Sequence, residues 1–72
     1  MPKLPRISGA ECIRVLKRMG FEQRRQRGSH VTMRRKENGC VVPLHRELKT
    51  GTLAGLLRQA NVEPEEFISH LK

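Results

Sequence analysis

Apolar positions along the chain recur first at helical spacing, then every second residue, then at helical spacing again. Residues 1–7 carry Pro2 and Pro5, which disfavour helix, and read as an extended lead. Ser8-Gly9-Ala10-Glu11 has the form of a capping box, with Ser8 at the N-cap and Glu11 three residues on. Cys12, Val15, Leu16 and Met19 then mark one helix face, with Ile13 widening the stripe. Lys17 and Arg18 suit the negative end of that helix, and Gly20 suits a left-handed cap. Residues 21–27 are polar, but Gly20 before them and Gly28 after them are consistent with a strand. From Ser29 the period is two: Val31 and Met33 fall on one face, His30, Thr32 and Arg34 on the other.

Asn38-Gly39 predicts a type I′ hairpin turn. A two-residue loop there sets Val42 opposite Arg35, Val41 opposite Lys36 and Thr32 opposite His45. Opposed residues share a face, so Cys40 and Val42 join Val31 and Met33, and His45 joins His30. Pro43 requires this third strand to be an edge. Residues 44–50 read as a loop. Leu53, Leu56, Leu57 and Ala60 give a second amphipathic helix, capped by Thr50 or Thr52 and ended by Asn61. Pro64 suits the first turn of a short third helix, with Glu65 and Glu66 at its positive end and Phe67, Ile68 and Leu71 buried. The expected fold is therefore α+β: helix, three-stranded antiparallel sheet, helix and a short C-terminal helix. The helices should cover the Val31/Met33/Val42 face and leave the face with His30, Thr32 and Arg34 wet.

Seventy-two residues are enough for one domain, which buries roughly 60% of its unfolded surface. Fifteen Lys and Arg against seven acidic residues leave a net charge of +8. Arg14, Lys17, Arg18, Arg24, Arg25, Arg27, Arg34, Arg35 and Lys36 face only Glu22 in the same stretch, and that block accounts for the whole excess. It calls for an anionic partner. A small acidic metabolite would need one or two cations, not this many. Trp and Tyr are absent and Phe occurs twice, which argues against RNA recognition by stacked bases. No apolar run is long enough for a membrane span, and residues 1–6 lack the apolar region of a signal peptide, so the expected compartment is the cytoplasm. Cys12 and Cys40 lie far apart, without the close pairs of Cys or His a zinc site uses, and read as small buried apolar side chains.

His30 follows Gly28-Ser29 and sits among Arg24, Arg25, Arg27 and Arg34. An imidazole among phosphate-binding cations suits RNA cleavage, taking the proton of a ribose 2′-OH while cations stabilise charge on the phosphoryl oxygens. Neither metal nor cofactor is needed. The same residue in isolation is equally a surface histidine holding a phosphate or nothing. Ser29 and His45 are auxiliary candidates, His45 as general acid for the leaving oxygen or simply as a loop histidine. Arg24, Arg25, Arg27, Arg34, Arg35, Lys36 and Lys49 are the candidate RNA contacts. Lys49-Thr50-Gly51-Thr52 opens the second helix, where free N–H groups either hold a phosphate or are ordinarily capped. His70 reads as a partner of the third helix's dipole. A non-catalytic RNA-binding module has the same charge without needing the histidine. A DNA-binding regulator would want helix-turn-helix spacing, which is absent.

Several segments also carry a resemblance: Pro5-Arg6-Ile7-Ser8-Gly9, Leu16 to Phe21, Arg27-Gly28-Ser29-His30, Val42-Pro43-Leu44-His45, Gly51-Thr52-Leu53 and Leu57-Arg58-Gln59-Ala60. In this order and spacing the chain closely resembles the HicA, or YcfA-like, family of bacterial toxins over residues 1–72. The resemblance implies a single toxin domain with a double-stranded-RNA-binding-domain-like fold. It implies the toxin of a type II toxin–antitoxin system, a metal-independent, ribosome-independent mRNA interferase that arrests translation. The family's catalytic histidine, in a Gly-Ser-His motif, maps onto His30, and the implied partner is a HicB-type antitoxin that occludes it. Val62-Glu63-Pro64 departs from the serine cap common in relatives, away from the site.

Overall fold

A computed structural model of the chain describes residues 3–71. Its elements run α1 (Gly9–Arg18), β1 (Glu22–Arg27), β2 (His30–Arg35), β3 (Asn38–Pro43), α2 (Thr50–Gln59) and α3 (Pro64–Ser69). The three strands form one antiparallel sheet in the order β1-β2-β3. The fold is thus α+β in the expected order. Of the lead, residues 3–7 carry neither helix nor strand, while Met1 and Pro2 lie outside the described residues.

The first helix is closed at both ends by its own sequence. The Ser8 hydroxyl accepts from the Glu11 N–H at 3.0 Å, and the Glu11 carboxylate accepts from the Ser8 N–H at 2.9 Å. The Ser8 backbone N–H, and next its hydroxyl, hold the Glu11 carboxyl below its ordinary range. At the other end Gly20 takes φ +96. The Gly20 N–H then donates to Lys17 and the Phe21 N–H to Leu16, at 3.0 and 2.9 Å, which is a Schellman cap. That reversal drops Phe21, 2% exposed, into the core and starts β1.

β1 and β2 join through Gly28-Ser29, with Gly28 at φ +59. Positive φ at the first turn position only is the glycine-favouring arrangement of a type II′ hairpin. Between Gln23 and Arg25 the register shifts by a bulge at Arg24. The bulge reverses the alternation, so Gln23 lies opposite Met33 on the core side while Arg25 and Arg27 lie opposite Thr32 and His30 on the outer side.

The second hairpin corrects the expectation at Asn38-Gly39. The turn is Lys36-Glu37, with Arg35 paired to Asn38, Met33 to Cys40, Val31 to Val42 and His30 to Pro43. Asn38 and Gly39 already belong to β3. The observed register sets two apolar pairs against each other, whereas a turn at Asn38-Gly39 would place Arg46 opposite Val31. Cross-strand apolar contact outweighs turn propensity here. It does so even though Lys36 must adopt φ +56, which costs about 1–2 kcal/mol for a residue with a Cβ. The two registers differ by an even number of residues, so the division into core and outer faces survives. Pro43 is on an edge strand, as required.

α2 also starts differently from expectation: Lys49 holds the N-cap position and makes no side-chain cap, so neither Thr50 nor Thr52 caps the helix. The preceding Leu48 explains this. It is fully buried and its N–H donates to the Ile7 carbonyl at 2.7 Å, which fixes where the chain can turn into helix. Asn61 ends α2 as expected, at φ +58, with Asn61 and Val62 N–H groups donating to Arg58 and Leu57. Pro64 opens α3, which buries Phe67 completely and leaves Ile68 and Leu71 half-buried. The core gathers Leu16, Phe21, Val31, Met33, Val42, Leu53, Leu57 and Phe67 between helices and sheet, with Cys12 and Cys40 among them. No polar side chain among the described residues is buried. Whatever chemistry the molecule performs is therefore carried by its surface.

One close approach ties α1 to the end of β3. Gly9 donates to the His45 carbonyl at 2.9 Å, and a Cβ on Gly9 would stand 2.0 Å from the Pro43 oxygen. Only glycine lets the helix start lie directly on the Pro43–His45 segment.

Candidate active site

His30 is the first residue of β2 and is exposed on the outer sheet face. Its neighbours are set by register. Arg27 is opposite on β1 and Pro43 opposite on β3; one step along, Arg25, Thr32 and Val41 form the next row. Side chains directly opposed across strands have Cβ atoms about 4.5–5.5 Å apart, so Arg27 stands beside the imidazole. The ring makes no hydrogen bond to another described residue, which leaves both nitrogens for a ligand.

Two open grooves meet at this histidine. One, of about 340 Å³, is lined by Arg25, Arg27, His30, Thr32 and Val41. The other, of about 600 Å³, runs between the free edge of β3 and helix α2, with His30, Val41 and Pro43 on one wall and Gly51, Thr52, Gly55, Arg58 and Gln59 on the other. His30 and Val41 belong to both. Val41 and Leu44 are the large apolar side chains left exposed among the described residues.

The structure sorts the candidate residues. His30, Arg25 and Arg27 come together. Arg24, Arg34, Arg35 and Lys36 line a separate hollow of about 500 Å³ at the far end of the sheet, together with Glu22. There Arg24 pairs with Glu22 at 3.1 Å, and the Arg34 Nε–H donates to the Lys36 carbonyl at 3.2 Å. Arg35 alternates with Arg34 and shares the strand face of Met33, and its side chain reaches that hollow from there. Its guanidinium sits 4.6 Å from the Phe21 ring centre, donates to the Met19 carbonyl at 2.9 Å and stands 3.6 Å from Glu66. Those contacts commit it to closing the α1–β1 junction.

Lys49 is exposed at the start of α2 and lines neither groove beside His30. Ser29 lies in the hairpin turn, where its carbonyl accepts from the Leu44 N–H at 2.7 Å. His45 does not face Thr32, whose partner is Val41. It lies in the loop beyond β3, exposed, and lines neither groove. His70 caps α3, its Nδ1 2.8 Å from the Glu66 carbonyl. Sequence reasoning missed Arg58 and Gln59 as neighbours of His30. No local pattern marks them; they reach the site only because α2 docks along β3.

No group of three or more metal-ligating side chains occurs among the described residues. The two thiols are buried and free. Burial pushes Cys12 up to about 12, with Cys40 nearby adding to the effect, and pushes Cys40 up to about 11. Neither is a nucleophile at ordinary pH. No helix of the described residues is long and apolar enough to cross a membrane.

The fold and the site together define a small, strongly basic α+β protein with an exposed, unbonded histidine on its outer sheet face. The model of the HicA toxin of bacterial toxin–antitoxin systems matches residues 9–62, from the start of α1 through the cap of α2, His30 included. The chain belongs to this HicA toxin family. No curated protein matches it significantly.

Proposed function

We propose that this toxin is a metal-independent endoribonuclease that cleaves mRNA at the face carrying His30. The single observation behind the proposal is the placement of an exposed, unbonded imidazole beside Arg27 and Arg25 at the meeting point of two grooves. A neutral imidazole has one nitrogen that accepts a proton. In the proposed step a nitrogen of His30 takes the ribose 2′-OH proton, and the 2′ oxygen attacks the adjacent phosphorus. The bond from phosphorus to the 5′ oxygen breaks, and that oxygen takes a proton from water. The products are a 2′,3′-cyclic phosphate and a 5′-hydroxyl. Arg27 and Arg25 supply positive charge to the phosphoryl oxygens as the transition state forms.

The basic block supports RNA as the partner, since neutralising phosphates supplies most non-specific nucleic-acid affinity. Exposed Val41, which lines both grooves at His30, with exposed Leu44 just beyond the strand end, supports a second partner, an antitoxin of HicB type that covers His30 in the complex. The test is cleavage of RNA by purified protein in excess EDTA, read on a denaturing gel with end-group analysis, for wild type and His30→Ala. Cleavage by wild type leaving 5′-hydroxyl ends, and its loss in a His30→Ala protein with an unchanged melting temperature, is the expected result. Undiminished cleavage by folded His30→Ala, or binding without cleavage by wild type, would overturn the assignment; the latter would point to a non-catalytic RNA-binding module.

A further inference from the structure

We propose that Arg58 of helix α2 is a second RNA-binding element of this site, holding the phosphate of the nucleotide next to the scissile bond in the groove between α2 and β3. The inference rests on the reading of His30 as the RNA-cleaving residue, and extends it to residues on the other side of the histidine.

The groove has an apolar floor, with Val41, Pro43 and Leu56, and polar groups of one charge sign at its walls. Its lining includes His30, Thr52, Arg58 and Gln59 and no acidic residue. At about 600 Å³ it falls within the roughly 300–1,000 Å³ of small-ligand sites. Arg58 is exposed in the last turn of α2, and its side chain makes no ion pair or hydrogen bond with another described residue. That sets it apart from the arginines already in use, Arg6 with Glu47, Arg24 with Glu22 and Arg35 with the Met19 carbonyl. Helix α2 gives up little in packing to form this wall. Gly55 is mid-helix, where glycine is a poor helix former, and a Cβ there would meet nothing within 4 Å. The space it leaves is the groove itself.

The two grooves share His30. An RNA strand crossing the histidine thus has Arg25 and Arg27 on one side and Arg58 on the other, with the scissile phosphate between. A guanidinium can hold a phosphate through two parallel N–H donors, which fixes the strand as well as attracting it. Thr52 and Gln59, on the same wall, offer donors and acceptors to the sugar and base of that nucleotide. Arg58 binds and aligns; proton transfer stays with His30.

The experiment measures binding and cleavage separately. Affinity for a fluorescent single-stranded RNA oligonucleotide is titrated against salt in the His30→Ala background, alone and combined with Arg58→Ala, Arg58→Lys or Gly55→Leu. Arg58→Ala should weaken binding about tenfold, and the log–log salt slope should fall by about 0.7, the value for one phosphate on a single strand. Arg58→Lys should keep the slope and recover part of the affinity. Gly55→Leu should weaken binding by filling the groove while melting no lower than its parent. In proteins retaining His30, Arg58→Ala should raise KM about tenfold with kcat changed less than twofold. Unchanged RNA affinity and slope in Arg58→Ala would overturn the proposal, as would a variant whose only loss is affinity for the antitoxin, which would make the groove a protein interface. A failure of His30-dependent cleavage would overturn the endonuclease reading and leave the binding titration to judge Arg58 independently.

Discussion

Replacing Gly9 by alanine tests how tightly α1 is seated against the strand end next to His30. The added Cβ would stand 2.0 Å from the Pro43 oxygen and 2.9 Å from the Leu44 Cα. Ordinary non-bonded contacts lie near 3.5 Å, so the helix start and the strand must separate by roughly 1 Å or more. Both obstacles are backbone, and no side-chain rotation relieves them. Overpacking of this kind costs about 1–3 kcal/mol. Separation also strains the 2.9 Å bond from the Gly9 N–H to the His45 carbonyl, worth about 1 kcal/mol. Alanine's better helix propensity returns at most about 1 kcal/mol. The net loss is about 1–3 kcal/mol, a large share of the roughly 4–11 kcal/mol expected for a domain of this length. At about 4–8 °C per kcal/mol the melting temperature should fall by roughly 5–25 °C. Thermal unfolding followed by circular dichroism measures it. Gly51→Ala is the control, because a Cβ there meets nothing within 4 Å and should leave the melting temperature unchanged or higher. A Gly9→Ala protein melting with the wild type would refute the close approach and the seating of α1 on Pro43.

Two further outcomes follow from side chains with settled surroundings. Arg35→Ala should lower stability by about 1–2 kcal/mol in urea, from the lost bond to the Met19 carbonyl and the lost contact with Phe21, with RNA affinity and its salt slope unchanged; a stable variant with a reduced slope would instead place Arg35 on the RNA. Cys12 and Cys40 are pushed up from an ordinary 9.0 to about 12 and about 11, so the folded state keeps protons that the unfolded state releases. Their contribution is complete below pH 9 and is lost as pH climbs towards 11–12, so the urea midpoint should drop across that window; a flat midpoint, or rapid alkylation of both thiols in native protein at pH 8, would contradict their burial.

Legibility in the sequence followed the range of the forces involved. Both ends of α1 were readable because Ser8, Glu11 and Gly20 act on backbone groups within a few residues of themselves. The division of the sheet into two faces was readable too, since Val31 and Met33 alternate with His30 and Thr32 whatever their partners. The same alternation already places Arg35 on the strand face of Met33 rather than with His30, in keeping with its bond to the Met19 carbonyl. What failed was register. Asn38-Gly39 is a strong local turn signal, but pairing Val31 with Val42 and Met33 with Cys40 is a non-local gain, and it moved the turn to Lys36-Glu37. His45 was tied to the site only through that register, and it went with it.

The polar first strand had the opposite difficulty. Strict alternation from the buried Phe21 would have turned Arg25 and Arg27 towards the core, an arrangement no pair of unpartnered arginines tolerates. The bulge at Arg24 resolves the conflict: Phe21 and Gln23 keep the inner face, and Arg25 and Arg27 reach the outer face beside His30. A bulge has no dependable sequence signature, yet here it decides which cations can approach the imidazole. The wall across from them depends on a longer-range event still, the docking of α2 against β3 through Leu53, Leu56 and Leu57, which brings Arg58 to the histidine from far along the chain. The surface around His30 is therefore set by core packing it does not itself share.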